Sequence, residues 1–179
     1  MKYLNPELIR TGTDRELLNH AMEILDDNLD ELGVNCVADY MNISPDWSSI
    51  YSTFRLESQV CNGGFHQFFW NSKGEANDLV LRDLIHLRAN TQVAIFKKAL
   101  AVCIEFNVLE QRKNGPNTWF RFTRGYKTIP WDQIDSEYFK ANPRLEPIMI
   151  MHIKENQKIY TEPQPPAPPY GAPRAAGER

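Results

Sequence analysis

The chain has 179 residues, 42% of them hydrophobic, with 20 basic and 23 acidic side chains and a net charge of −3. That size and apolar content suit one domain with a substantial core, and so small a charge lacks the footprint of a nucleic-acid binder. No apolar run approaches the ~18 residues of a membrane span. The N-terminal MKYLNPELIRTGTDRE has no apolar signal region, and three scattered cysteines, Cys36, Cys61 and Cys103, argue against a disulfide framework or a Cys-based zinc site. The expected location is a reducing cytoplasm.

The charge is unevenly spread. Residues 1–46 hold ten acids and three bases, net −7, and the remainder is +4. Most of those acids fall in DRELLNHAMEILDDNLDEL, residues 14–32. There Leu18, Met22, Leu25, Leu29 and Leu32 recur at spacings of three and four beside Leu17, Ala21 and Ile24, which predicts an amphipathic helix. Thr13 and Glu16 form a capping box at its start, and Gly33 stops it. On its outer face Glu16, Glu23, Asp27 and Asp30 form one stripe, with Asp26 and Glu31 beside it. Residues four apart on a helix lie about 6 Å apart, near the phosphate spacing along a DNA strand. The stripe therefore suits a basic DNA-binding surface, and it equally suits a helix that keeps its outer face charged for solubility.

A second helix starts at Ser44–Pro45–Asp46, with Ser44 as its cap and Trp47, Ile50, Tyr51, Phe54 and Cys61 on one face. It runs into LESQVCNGGFHQFFWNSKGE, residues 56–75. Asn-Gly-Gly between strands would mark a hairpin. Here the flanks are helical, since Phe65, Phe68 and Phe69 stand at i, i+3 and i+4. The stretch predicts a helix–Gly-Gly–helix joint. Gly63 takes the left-handed conformation and Gly64 permits close backbone approach. The short second helix is buried through Phe65, Phe68, Phe69 and Trp70, with Gln67 among the aromatics, His66 on another face, and exposed rings around Trp70 available to an interface. The amides of Asn62, Gln67 and Asn71 have two readings: they tie down free backbone groups at two helix ends, or they line a small-molecule pocket.

Further helices are predicted over 76–89, with Val80, Leu81, Leu84 and Ile85, and over 91–106, with Phe96, Ala99, Leu100, Cys103 and Ile104. From 108 to 130 the pattern breaks into an irregular connection or a hairpin through Arg124–Gly125. In it Arg112, Lys113, Arg121, Arg124 and Lys127 interleave with Trp119, Phe120, Phe122, Tyr126 and Trp131. That pattern can stack bases and hold phosphate, or pack its rings down and turn its cations to water. Two shorter helices, 131–140 and 144–155, are separated at Asn142–Pro143. The last nineteen residues, TEPQPPAPPYGAPRAAGER, hold six of the twelve prolines. They read as a disordered, extended tail with P-x-x-P spacings. The expected organisation is all-α: a compact single-domain multi-helix bundle over 1–160 followed by the tail, 161–179.

His20, His66, His86 and His152 include no H-E-x-x-H pair, and no G-x-S-x-G elbow, P-loop or dinucleotide fingerprint is present. Cys61, Asn62 and His66 are too close in sequence to be a fold-assembled triad. The expectation is a non-enzyme with no catalytic residue, no cofactor and no metal.

QVCNGGFHQFFWNSKGE resembles the signature of a bacterial domain-of-unknown-function family typified by a DNA-mimic protein that binds a transcriptional repressor. The signature is an acidic residue, a gap, then N-G-G-F-x-Q-[FY]-F-x-N-[ST]-x-G. Asn62, Gly63, Gly64, Phe65, Gln67, Phe68, Phe69, Asn71, Ser72 and Gly74 match it. Gln59 stands at the acidic position, and Glu57 is out of register. The resemblance covers residues 44–155, including LVLRDLIHLRANTQVAIFKKAL and WDQIDSEYFKAN. It implies an all-helical dimer and a protein partner such as a DNA-binding transcription regulator, with no direct nucleic-acid or membrane contact. The acidic face, Glu16, Glu23, Asp26, Asp27, Asp30 and Glu31, is the partner surface this suggests. The alternative is an immunity-type or regulatory protein that blocks a toxin or enzyme by direct binding.

Overall fold

The computed structural model describes residues 2–33, 43–113 and 118–163; Cys36 and the tail beyond residue 163 lie outside them. Among the described residues every regular element is a helix. α1 (Pro6–Thr11) is a short turn capped by Asn5, whose Oδ1 accepts from Glu7 N–H at 2.9 Å. α2 (Asp14–Leu32) carries the predicted capping box and ends at Gly33 in the left-handed region, φ 65°. Its inner face buries Leu17, Leu18, Ala21, Met22, Ile24, Leu25 and Leu29.

α3 (Pro45–Ser72) is the central element, and all the long helices pack on it. α4 (Asn77–His86) and α5 (Asn90–Glu105) fold back on it in turn. Ser44 occupies the cap position of α3, but its hydroxyl faces Asp46 Oδ2 at 3.4 Å and caps no backbone N–H. The core face of α3 is rotated from the predicted one: Trp47, Ile50, Leu56 and Val60 are buried, Tyr51 and Phe54 are half-buried, and Cys61 is exposed. Leu56 and Val60 set that rotation, because their larger apolar surface outweighs that of a cysteine.

Within α3 the helix is interrupted at Gly63 (φ −161°, ψ 32°) and Gly64 (φ 67°, ψ −176°). The helix–Gly-Gly–helix joint is therefore real, with the two glycine roles exchanged. Gly64, not Gly63, has positive φ, in a region open only to glycine. The Phe65 N–H freed by the break donates to Asp135 Oδ1 at 2.9 Å, across 70 residues of sequence. A Cβ on Gly64 would collide with that same carboxylate. Phe65, Phe68 and Phe69 are buried as expected and meet Phe96 at 6.3, 5.7 and 6.1 Å between ring centroids. Each such ring removed from water contributes about 1.5–3 kcal/mol.

The stretch expected to be irregular is helical: α6 (Val108–Lys113) and α7 (Thr118–Thr128). Phe122, Tyr126 and Ile129 recur at helical spacing. Gly125, which suggests a turn in sequence, is instead the place where the backbone passes against the His66 ring. α8 (Trp131–Lys140) and α9 (Leu145–Glu155) follow as predicted around a cis Asn142–Pro143 bond, and α10 (Gln157–Thr161) closes the described chain. Leu4 N–H donates to Tyr160 C=O at 2.8 Å and joins the two ends.

α4 is fastened to α3 by Asp83, a fully buried carboxylate that accepts from Ser48 Oγ (2.9 Å), Ser52 Oγ (2.6 Å) and Arg82 Nε (2.7 Å). A buried charge is tolerated only with such a set of donors. Glu57 performs a similar task toward α8 and α9, accepting from the Tyr138 hydroxyl and the Arg144 guanidinium.

Gly64→Ala is expected to cost about 3 kcal/mol from its backbone conformation and the clash with Asp135. Gly63→Ala is expected to cost clearly less, since its φ is extended and the nearest obstructions are the side-chain ends of Gln67 and Tyr126, with the Gln67 Cβ next at 3.0 Å. Urea midpoints of the two variants measure this; equal losses would contradict it.

Candidate functional site

α2 is anchored to the segment that precedes α1. Buried Asn28 binds Lys2 through both backbone groups, Lys2 N–H to Oδ1 at 2.5 Å and Nδ2 to Lys2 C=O at 3.0 Å. Glu16, Glu23, Asp26, Asp27, Asp30 and Glu31 are all exposed, but they are not equally available. Glu16 is turned to the helix start, where it accepts from the Thr13 backbone and hydroxyl, each at 2.8 Å; the backbone bond first and the hydroxyl second hold its carboxyl below the ordinary value. Asp27 pairs with Lys2 Nζ at 2.8 Å, and Glu23 lies 3.3 Å from His20 Nδ1. Glu31 also has an interaction. Asp26 and Asp30, four apart on one face, have no side-chain partner among the described residues. Such exposed pairs are worth little to stability, so these carboxylates remain open to other cations.

At the joint, the three amides bind one another and not the helix ends. Gln59 Oε1 accepts from Gln67 Nε2 at 3.0 Å and from Asn71 Nδ2 at 2.7 Å, and Asn62 Nδ2 donates to Gln67 Oε1 at 3.1 Å. The backbone end is held by Asp135. Gln59 serves only as an acceptor here, a role a carboxylate fills equally well. The outer edge of this cluster, Gln59 and Asn71, also lines a cleft of about 310 Å³ with Tyr51, Arg55, Lys73 and Glu75, so of the three expected amides only Asn71 reaches a pocket, and none ties down a helix end.

Gln67 is half-buried in that cluster, and His66 takes the place among the aromatics that was expected for Gln67. Its ring lies 4.7 Å from Tyr126, 4.9 Å from Phe122, 5.7 Å from Trp70 and 6.0 Å from Trp131. Nε2–H donates to Phe122 C=O at 2.9 Å, while Nδ1 is buried without a partner. Burial pushes the ring's pKa below its ordinary value, against the raising effect of the Phe122 bond. Trp70 is only 8% exposed, so it offers no interface surface.

The basic and aromatic residues of 108–130 do not form a stacking platform from Phe122, Tyr126 and Trp131, which pack inward around His66. Phe120 is 65% exposed, and Arg124 and Lys127 face solvent. The side chains of Arg112, Lys113 and Trp119 lie outside the described residues. Cys61 and His66 point to different surroundings. Cys61 lies beside Glu57 and Arg144, and burial followed by the Glu57 charge raises its thiol pKa, the wrong direction for a nucleophile.

With this geometry established, comparison with family models gives one match, to the DMP19-like protein family, over residues 41–156. The chain belongs to the DMP19-like family. No curated protein and no solved structure matched it. The matched residues take in α3 to α9 and leave α2 outside. They hold fourteen bases and twelve acids, so the family core is not acidic and the chain's excess of negative charge lies before it. No helix among the described residues is long and apolar enough to cross a membrane.

Gln59→Glu is expected to keep both amide bonds and change stability by less than about 0.5 kcal/mol, whereas Gln59→Leu strands Gln67 and Asn71 and costs about 1 kcal/mol. Denaturant midpoints decide it, and a loss in Gln59→Glu matching that in Gln59→Leu would refute the acceptor role. For His66, stability from the neutral buried ring is present above the unfolded value of 6.5 and is lost as pH falls through the depressed folded value. The stability gap between wild type and His66→Phe should therefore narrow from pH 7.5 to pH 5; parallel curves would show that His66 does not titrate in this way.

Proposed function

We propose that this protein is a protein-interaction module that binds a DNA-binding protein, such as a transcription regulator, through the outer face of α2. The observation that carries the reading is an anchored helix whose Asp26 and Asp30 carboxylates are exposed and have no side-chain partner among the described residues. Glu23 extends the row by one turn, while Asp27 flanks it and becomes available once Lys2 is displaced or screened. Family membership supports this reading, because the resembled family is typified by a DNA mimic. Within the family core, Asn62, Gly63, Gly64, Phe65, Gln67, Phe68, Phe69, Asn71 and Gly74 are the structural signature: they make the bend and its packing and leave the contact surface to α2.

An acidic row steers a basic surface by charge and competes with DNA for it. A homodimer is part of the same proposal, supported by the exposed Ile104 (73%) and Phe120 (65%); sedimentation should then give twice the 20.8 kDa chain mass.

The test is affinity capture with the full chain, followed by elution with duplex DNA. A DNA-binding protein should be captured and displaced by DNA. Asp26→Lys/Asp30→Lys should weaken its binding about tenfold or more, equivalent to ~1.4 kcal/mol, and added salt should weaken the wild-type complex steeply. Binding that is indifferent to the double reversal removes α2 from the interface. A toxin or enzyme as the prey, with no effect of DNA, favours a blocking or immunity-type protein instead.

A further inference from the structure

Away from α2 and the joint, three side chains from separate helices converge on one point. Asp46 stands in the first turn of α3, His86 ends α4, and His152 lies in the last turn of α9. Asp46 Oδ1 is 3.1 Å from His86 Nε2 and 3.0 Å from His152 Nε2. The ligand-capable atoms of all three lie within 4.8 Å of one another, and the two rings meet edge to face at 5.4 Å. No local spacing marks the group in sequence: His86 and His152 stand 40 and 106 residues from Asp46.

The set is an N₂O donor group. Metal–ligand bonds of about 2.0–2.1 Å place neighbouring donors roughly 3.0–3.4 Å apart, which is close to the two Asp–His distances seen here. Bringing the rings into the same range needs a movement of roughly 1 Å or less in each. Two imidazoles and one carboxylate suit zinc, iron, cobalt or nickel and are poor ligands for magnesium or calcium. The fold supplies further support. Both histidines sit at helix C-terminal ends, where the backbone favours a cation. Asp46 is firmly placed, since the Tyr160 hydroxyl donates to its backbone carbonyl at 3.1 Å.

The three residues open onto a cleft of about 900 Å³, lined also by Arg88, Gln92, Glu155 and Asn156. Glu155 adds negative charge at its rim and Arg88 opposes it. Asn156 lies 3.4 Å from His152 Nδ1. Its Nδ2 donates to the His152 carbonyl at 2.9 Å, which ties Asn156 to the end of α9 beside the ring. We propose that Asp46, His86 and His152 bind one divalent transition-metal ion of the zinc class, through Asp46 Oδ1 and both Nε2 atoms, with its remaining coordination directed into this cleft. A neutral ring protonated at Nε2 moves that proton to Nδ1 on binding, and a ring that is an imidazolium releases one proton to solvent. The ion clamps the start of α3 to the ends of α4 and α9.

The experiment uses untagged full-length protein carrying Cys36→Ser and Cys61→Ser, so that neither of these thiols competes. Zinc is titrated against a chromophoric chelator, and cobalt is followed by its visible absorption. The expected result is one ion per chain, with affinity reduced about 100-fold or more in His86→Ala and in His152→Ala and unchanged in His20→Ala. Because either alanine variant can unfold, ring ¹⁵N spectra of the unsubstituted histidines provide the second measurement. Zinc should shift the Nε2 signals of His86 and His152 and leave those of His66 in place. Absence of binding, binding indifferent to both alanines, or unmoved His86 and His152 signals would overturn the proposal.

Discussion

The hydrogen bond from Phe65 N–H to the half-buried carboxyl of Asp135, 2.9 Å long, allows one helix to become two without a connecting loop. A break in a buried helix normally strands backbone donors, and each stranded donor costs about 1–3 kcal/mol. Here the donor is met from α8, and the absence of a side chain at Gly64 leaves space for the carboxylate that meets it. The same event fixes the direction of residues 65–72. Phe65, Phe68 and Phe69 are aimed at Phe96, Phe65 meets Tyr138 at 5.3 Å, and Phe69 meets Trp131 at 5.8 Å. Burial leaves the Asp135 carboxyl with a raised pKa, which the Phe65 bond lowers only in part. The charge is retained at a cost because the bend needs an acceptor.

That bend separates two kinds of surface. The family-matched core, α3 to α9, spends its unusual residues on itself. Asp83 and Glu57 take their donors from neighbouring side chains, His66 fills a gap between aromatic rings, and the amides of Asn62, Gln67 and Asn71 satisfy one another through Gln59. α2 is different in kind. Its inner face is apolar apart from Asn28, which is satisfied by the Lys2 backbone, and its outer face presents carboxylates with weak, exposed partners or none among the described residues. Accessible charge on an anchored helix is what the proposed contact surface requires.

Much of this was legible in the sequence wherever the cause is local. The Thr13–Glu16 capping box and Gly33 bound α2 to the residue, and the spacing of Phe65, Phe68 and Phe69 identified the joint. Signals failed where distant residues decide the outcome. Nothing near Gly64 announces Asp135, so positive φ was expected at Gly63. Gly125 and its basic neighbours suggested a turn, because the His66 ring that requires the glycine is 59 positions away. The face of α3 was misjudged for lack of the partners of Leu56 and Val60. The convergence of Asp46, His86 and His152 has no sequence pattern, since three helices supply one residue each.

The claim that the core is a scaffold and α2 the contact surface is tested most directly by hydrogen exchange of the full chain, free and bound to its captured partner. The account predicts that protection on binding is concentrated in residues 14–32, with the joint at 59–74 already protected in the free protein and little changed. Protection confined to the joint and its cleft, with α2 exchanging equally in both states, would contradict it.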